Sequence, residues 1–93
     1  MPIFHYVYVL RSQKDKGFYV GSTPDLKSRL AKHNNGKVFS TKPRLPFDQI
    51  FYEAYRNESD ASRREIYLKS TKGRTTLKSM FKDFLRESEC QLV

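Results

Sequence analysis

The chain has 93 residues, of which 38% are hydrophobic and 14% aromatic, so its composition is that of a folded domain and excludes a disordered segment. This length predicts one domain over residues 1–93 with one small core, so any active site must lie on a face of a sheet or in a shallow groove. The formal net charge is +8, and residues 1–46 hold most of it, with nine Lys and Arg against two acids, whereas residues 47–93 have nine against eight. A polyanion is the natural partner of this asymmetric charge, although a basic composition also serves solubility.

Other features of the sequence exclude further classes of protein. Cys90 is the only cysteine, so neither an internal disulfide nor a cysteine-based metal site is expected. Residues 3–10 are interrupted by His5 and two tyrosines and lack the long apolar run of a signal peptide or a membrane span. We therefore expect a cytoplasmic protein with no membrane partner.

The first half of the chain predicts two strands and a helix. Tyr8 lies in a nearly continuous β-branched and aromatic run, which is typical of a central strand. Tyr19 shares a face of the return strand with Gly17 and Gly21, so its phenol is expected to stand over a cleared surface, and Gly17 is expected to take a positive φ. The predicted elements are strand Ile3–Leu10, a hairpin loop over 11–17, strand Phe18–Gly21 and a helix from about Pro24 to Asn34.

Two side chains of that helix have candidate roles. Leu26, Leu30 and His33 are spaced four and three residues apart on an inward stripe, and Arg29 lies at the edge of this stripe, from which its guanidinium can reach over the sheet.

The loop over 37–46 that follows contains two prolines and three cations. It suits either phosphate contacts or a merely solvated connection.

The second half predicts an edge strand, Phe47–Tyr55, and a helix from about Asp60 to Ser70. Glu65 lies on the inward stripe of that helix, where a carboxylate is expected to pair with an arginine (Arg29, Arg63 or Arg64) or to bind a metal ion. Gly73 is expected to break the chain before a third helix that begins at Thr75 or Thr76 and ends in five or six frayed residues. The expected core face of this third helix contains Leu77, Met80, Phe81, Phe84 and Leu85.

The order strand, strand, helix, strand, helix, helix, with Tyr6-Val7-Tyr8 ahead of Tyr19-Val20-Gly21, resembles the GIY-YIG nuclease domain. The resemblance covers about residues 4–86, and it is closest to small stand-alone bacterial members that are similar to the UvrC amino-terminal domain and to endonucleases of the Slx1 type. It implies an α+β fold with a small, mainly antiparallel sheet of three strands flanked by three helices. Tyr6 departs from the pattern, because it stands at the first glycine of the family name.

The resemblance also implies a set of site residues. Both tyrosines are implied, without an assignment of which one is the base. Our hypothesis is that Tyr8 acts as the base or positions the attacking water, that Tyr19 holds the water or the scissile phosphate, and that Arg29 clamps the phosphate. A free tyrosine has a pKa near 10, so a nearby cation would be needed to favour its phenolate. Glu65 would bind one Mg²⁺ or Mn²⁺ ion, and His33 would bond the phosphate, assist the tyrosine or serve only in packing.

The function that these residues predict is metal-dependent hydrolysis of phosphodiester bonds in DNA. The expected substrate is branched or flapped DNA in repair or recombination, with a protein partner as a further source of specificity. The alternative is a nucleic-acid binding module without catalysis, in which the basic half docks phosphates and tyrosines stack bases. In both cases the expected contacts to nucleic acid are Lys27, Lys37, Lys42 and Arg44.

Overall fold

The computed structural model describes the backbone of residues 3–90 and the side chains of residues 3–88. Three strands and four helices form in the order β1 (His5–Ser12), β2 (Phe18–Thr23), α1 (Leu26–Asn34), β3 (Phe47–Tyr55), α2 (Glu58–Lys69), α3 (Thr71–Met80) and α4 (Lys82–Cys90), with one turn of 3₁₀ helix at Lys42–Arg44. None of the helices within residues 3–90 is long and apolar enough to cross a membrane.

The strands form one antiparallel sheet in the order β2-β1-β3, which confirms the α+β class and the prediction that β1 is central and β3 an edge. The register sets Tyr8 of β1 opposite Gly21 of β2 and Tyr52 of β3. Because directly opposed residues share a face of an antiparallel sheet, all three lie on the same side.

Each face of the sheet has its own apolar cluster. Val7 and Val9 pack on one side with Leu68, Leu77 and Phe81 from the helices of the second half. The other side carries a smaller cluster of Tyr8, Leu10 and Phe47, against which Leu26 and Leu30 of α1 pack. Alternation along β1 therefore separates a purely structural face from the face that presents Tyr8 to α1.

The third predicted helix is in fact two helices, and Gly73 lies inside the first of them. The Ser70 side chain caps α3 by accepting a hydrogen bond from the Gly73 amide at 3.1 Å. A Cβ at Gly73 would collide with the backbone of Tyr67 and Leu68, so the glycine allows α3 to approach α2 closely, and the predicted chain break there was wrong. The predicted frayed tail lies largely outside the described residues, although α4 extends to Cys90.

Two details of the predicted core and turn were also wrong. Met80 and Phe84 are 42% and 40% exposed, whereas Leu77 and Phe81 of the same predicted face are buried. In the hairpin loop the positive φ belongs to Lys16, at 64°, and not to Gly17.

Candidate active site

Helix α1 crosses the sheet face that carries Tyr8 and brings His33 onto it. The helix begins after Asp25, whose carboxylate accepts a hydrogen bond from the Ser28 amide at 3.1 Å. Two turns later His33 is fully buried, and its Nε2 lies 2.9 Å from the Tyr8 hydroxyl. The inward stripe predicted for α1 therefore joins the tyrosine and the histidine directly.

The Tyr8–His33 contact is the first part of a chain of hydrogen bonds. His33 Nδ1 lies 2.8 Å from Thr41 Oγ1, and the Thr41 hydroxyl donates to the Val38 carbonyl at 3.3 Å. Because Thr41 has one proton to donate, it must accept from Nδ1–H, which leaves Nε2 free to accept the proton of the Tyr8 hydroxyl. Tyr8, His33 and Thr41 are each exposed by 1% or less, so these bonds are shielded from bulk solvent.

Thr41 was not identified from the sequence. It lies in the basic loop between α1 and β3, where its hydroxyl looked like one of several polar groups around the lysines. The only sequence signal is that a buried histidine needs a second partner, and this does not say which residue provides it.

Burial sets the protonation of both rings. Burial raises the pKa of Tyr8 above 10.0, with further increases from Tyr19 and Glu65, while the Arg29 guanidinium opposes them without reversing the outcome. Burial, followed by the charge of Arg29, lowers the pKa of His33 below 6.5. At neutral pH the protein therefore holds a protonated phenol against a neutral imidazole. The cation favours the phenolate as predicted, but its effect is smaller than that of burial.

Tyr19 and Gly21 complete this side of the site. The Tyr19 ring is partly buried, with its centroid 5.0 Å from that of His33 and 6.4 Å from that of Tyr8. A Cβ at Gly21 would overlap the Tyr8 hydroxyl, so the missing side chain makes room for Tyr8. The predicted cleared surface exists, but it accommodates the Tyr8 hydroxyl.

Arg29 lies beside the Tyr8 phenol, and the hydroxyl is the main reason why the pKa of Arg29 is raised. Its Nε is buried and makes no hydrogen bond with any residue of the described part of the chain. A buried donor without an acceptor is uncommon in folded proteins. Because a guanidinium presents several donors in a fixed plane, this arrangement suits a bound phosphate oxygen.

Glu65 of α2 reaches the opposite edge of the site. One carboxylate oxygen accepts from the Ser22 hydroxyl at 2.8 Å and the other from Lys69 Nζ at 2.7 Å. Burial opposes ionisation of Glu65, but these two hydrogen bonds and the charge of Arg29 outweigh it, so the pKa is lowered and the group is a carboxylate at neutral pH.

Two of the pairings expected for Glu65 were wrong, because those arginines have other partners. Arg63 pairs with Asp60 at 3.0 Å, and Arg64 pairs with Glu53 at 2.6 Å. Arg29 acts on Glu65 through its charge. The carboxylate is therefore held by Ser22 and Lys69, toward the side on which Arg29 and Tyr8 lie.

Residues 3–88 contain no group of three or more His, Cys, Asp or Glu side chains that could enclose a metal ion. The donor chemistry nevertheless fits Mg²⁺ or Mn²⁺ at Glu65, because such ions are held by one or two carboxylates together with waters and substrate phosphates. Each carboxylate oxygen uses one lone pair for its present donor and retains another. Lys69 is half exposed, so its ammonium can move aside for a divalent ion.

The four cations predicted to contact nucleic acid lie in different environments. Lys27, Lys37 and Lys42 are exposed. Arg44 instead forms an ion pair with Asp15 at 2.7 Å and stacks over the Phe47 ring, 5.5 Å from its centroid. The predicted phosphate contacts are therefore available at the three lysines, whereas the charge of Arg44 is already used within the protein.

Comparison with known proteins relates this chain to one family and to several of its members. Residues 4–78 match the family described as the GIY-YIG catalytic domain. The chain is 37% identical over 75 residues to a UPF0213 protein of Staphylococcus haemolyticus, which is 80% of this chain and 90% of the relative. It is 42% identical over 71 residues to a UPF0213 protein of Streptococcus pyogenes serotype M5, covering 75% and 76%. The solution NMR structure of a UPF0213 protein from Bacillus halodurans superposes with a TM-score of 0.54 at 33% identity, over 84% of this chain and 85% of that one.

Proposed function

The chain belongs to the GIY-YIG catalytic-domain family of nucleases, and from this premise we propose that it is a metal-dependent DNA endonuclease that hydrolyses phosphodiester bonds. The observation that carries the proposal is the convergence of two phenols, one imidazole, one guanidinium and one carboxylate around the Tyr8 hydroxyl. These groups come from β1, β2, α1 and α2. They belong to Tyr8, Tyr19, His33, Arg29 and Glu65.

In this proposal Tyr8 and His33 act together as the base. The raised pKa of Tyr8 keeps its proton in place at neutral pH, but the hydroxyl already donates to His33 Nε2, whose lowered pKa leaves it free to accept. When Tyr8 takes a proton from the attacking water, its own proton can move to His33. The imidazole, with both nitrogens engaged and no exposed surface, does not contact the phosphate itself.

Arg29 and Tyr19 hold the phosphate group in the proposed complex. Arg29 offers the buried Nε and the rest of its fork to the phosphoryl oxygens, where it stabilises the charge that develops in the transition state. Tyr19 is more exposed than Tyr8 and positions the water or the scissile phosphate from the next strand. Glu65 would hold one Mg²⁺ or Mn²⁺ ion, which neutralises charge at the departing oxygen when bound.

The proposed substrate is DNA with a branch or a flap, cut in the cytoplasm during repair or recombination. A compact site on a three-stranded sheet has little surface for reading a long sequence, so recognition of DNA shape, or a protein partner, would supply specificity. The exposed cations Lys27, Lys37 and Lys42 would contact the phosphates on either side of the cut.

A cleavage panel tests the proposal. Flapped, branched, single-stranded and fully paired DNA are incubated with Mn²⁺ or with EDTA, and Glu65→Gln is compared with Glu58→Gln, an exposed carboxylate on the same helix. Cutting that needs Mn²⁺ and is lost only in Glu65→Gln supports the proposal. Binding without cutting by the wild-type protein would favour the non-catalytic module, and full activity of Glu65→Gln would remove the metal from the mechanism.

A further inference from the structure

A cavity of about 490 Å³ lies beside α1, on the sheet face that carries Tyr8. Its walls are the rings of Tyr6 and Tyr52 and the side chains of Leu26 and Leu30, and we call it the Tyr6–Tyr52 pocket. The volume is in the range of pockets that bind small organic groups. Leu26, Lys27 and Leu30 of α1 line this pocket, whereas Arg29 and His33 of the same helix lie beside Tyr8.

The two tyrosines form an aromatic pair at the pocket. Tyr52 lies directly opposite Tyr8 in the sheet register and is 52% exposed. Tyr6 stands at the position of the first motif glycine, and its ring meets that of Tyr52 edge to face, with centroids 5.9 Å apart. An open cavity lined by one half-exposed and one partly buried aromatic ring offers π surfaces to a planar ligand.

The polar groups at the pocket indicate which planar ligand it suits. The amide of Gln49 can both donate and accept hydrogen bonds, as the edge of a base requires. Lys27 also lines the pocket and offers a cation to a phosphate attached to the ligand. The one acid of the lining, Asp25, accepts a hydrogen bond from the Ser28 amide. The net charge of residues 1–46, nine cations against two acids, favours a polyanionic chain over a neutral or basic one.

We propose that the Tyr6–Tyr52 pocket binds one unpaired nucleobase of the DNA strand whose scissile phosphate Arg29 holds. This inference rests on the proposed function and extends it to the substrate. The same helix presents Arg29 to the phosphate and Leu26, Lys27 and Leu30 to the pocket, so a strand that crosses α1 reaches both places. A base inside a duplex cannot enter, because it must first leave the stack. The pocket therefore selects DNA that has an unpaired nucleotide next to the cut.

The first test uses the wild-type protein and changes only the DNA. Binding to a flapped duplex is measured in EDTA by fluorescence anisotropy, with a single abasic nucleotide moved through the positions around the junction. Stacking of one base on an aromatic ring predicts about a tenfold loss of affinity at one position and little change elsewhere. Equal affinity for every abasic substrate would overturn the inference.

The second test changes the pocket. Tyr52→Leu should bind the intact flap about tenfold more weakly and should lose sensitivity to the abasic site, whereas Tyr52→Phe, which keeps the ring, should behave like the wild type. Tyr67→Leu replaces a tyrosine of α2, 39% exposed and outside this pocket, and serves as the matched control. Retained abasic sensitivity in Tyr52→Leu would overturn the inference. Failure of the wild type to cut any DNA with Mn²⁺ would instead overturn the proposed function.

Discussion

Replacement of Thr41 by valine tests whether the hydrogen-bonded chain behind Tyr8 supports catalysis. Valine has nearly the shape of threonine and lacks only the hydroxyl that accepts from His33 Nδ1–H at 2.8 Å. In Thr41→Val the Nδ1–H of His33 stays buried without an acceptor, and because the imidazole is fully buried, no water can replace the lost hydroxyl. The change therefore removes one contact of the imidazole, together with the longer bond from Thr41 to the Val38 carbonyl, and leaves Tyr8, Arg29 and Glu65 in place.

The expected magnitude follows from the cost of that unpaired donor. An unsatisfied buried hydrogen-bond donor costs about 1–3 kcal/mol. Part of this cost is avoided if the proton moves to Nε2, but that tautomer faces Tyr8 with a donor and can no longer accept the phenol proton. Because about 1.4 kcal/mol corresponds to a factor of ten, kcat should fall about tenfold or more. The midpoint of thermal unfolding should fall by about 5 °C or more.

Single-turnover cleavage with Mn²⁺ measures the effect on the cleavage rate, and DNA binding in EDTA measures the effect on affinity. We expect kcat to fall in Thr41→Val with DNA affinity unchanged, because the Thr41 side chain is buried away from the surface. Thr41→Ser restores the hydroxyl and should restore most of the rate. A wild-type rate in Thr41→Val would refute the relay, and an equal loss in Thr41→Ser would show that the methyl group and packing matter instead.

Three further predictions concern His33, Lys69 and Arg29. The pKa of His33 lies below its ordinary 6.5 in the folded protein, so the unfolded chain binds more protons as the pH falls below 6.5, and the free energy of unfolding should decrease from pH 7 to pH 5. Urea denaturation should show this slope in the wild type and a flatter one in His33→Gln; identical slopes would contradict the assignment. Lys69→Met removes the exposed partner of Glu65, a pair worth about 0.5 kcal/mol, so half-maximal cleavage should need about twofold less Mn²⁺, and a higher requirement would argue against this site. Arg29→Lys keeps the charge but loses the planar fork and should reduce kcat by about 10²-fold, whereas an undiminished rate would remove Arg29 from the phosphate site.

The sheet and α1 could be predicted because their signals are local. The β-branched and aromatic run of β1 identifies a central strand, and the spacing of Leu26, Leu30 and His33 defines the inward face of α1. Both kinds of periodicity depend only on residues within one element. The predictions that His33 lies on the inward face of α1 and that Tyr8 lies in a central strand follow from them.

Features that depend on contacts between distant residues could not be predicted. Thr41 meets His33 only because the loop before β3 folds back, and Gly73 fits within α3 because the backbone of α2 passes close by. Alone in the sequence, a glycine more often ends a helix than lies inside one. The exposure of Met80 and Phe84 likewise depends on the division between α3 and α4, which no proline or glycine marks.

Glu65 has two opposing effects on the expected rate of cleavage. Its charge makes Tyr8 harder to ionise, whereas the ion that it would hold is needed for cutting, and Glu65→Gln distinguishes the two effects. The charge of Glu65 is among the causes that raise the pKa of Tyr8, so Glu65→Gln should lower that pKa and make the phenolate easier to form. If the rate depended only on the base, this variant would cut DNA at least as fast as the wild type at neutral pH. If Glu65 holds the ion, activity disappears although the base is easier to ionise. Loss of cleavage in Glu65→Gln, with the fold and DNA binding retained, can therefore be assigned to the loss of the metal ligand and not to a weaker base.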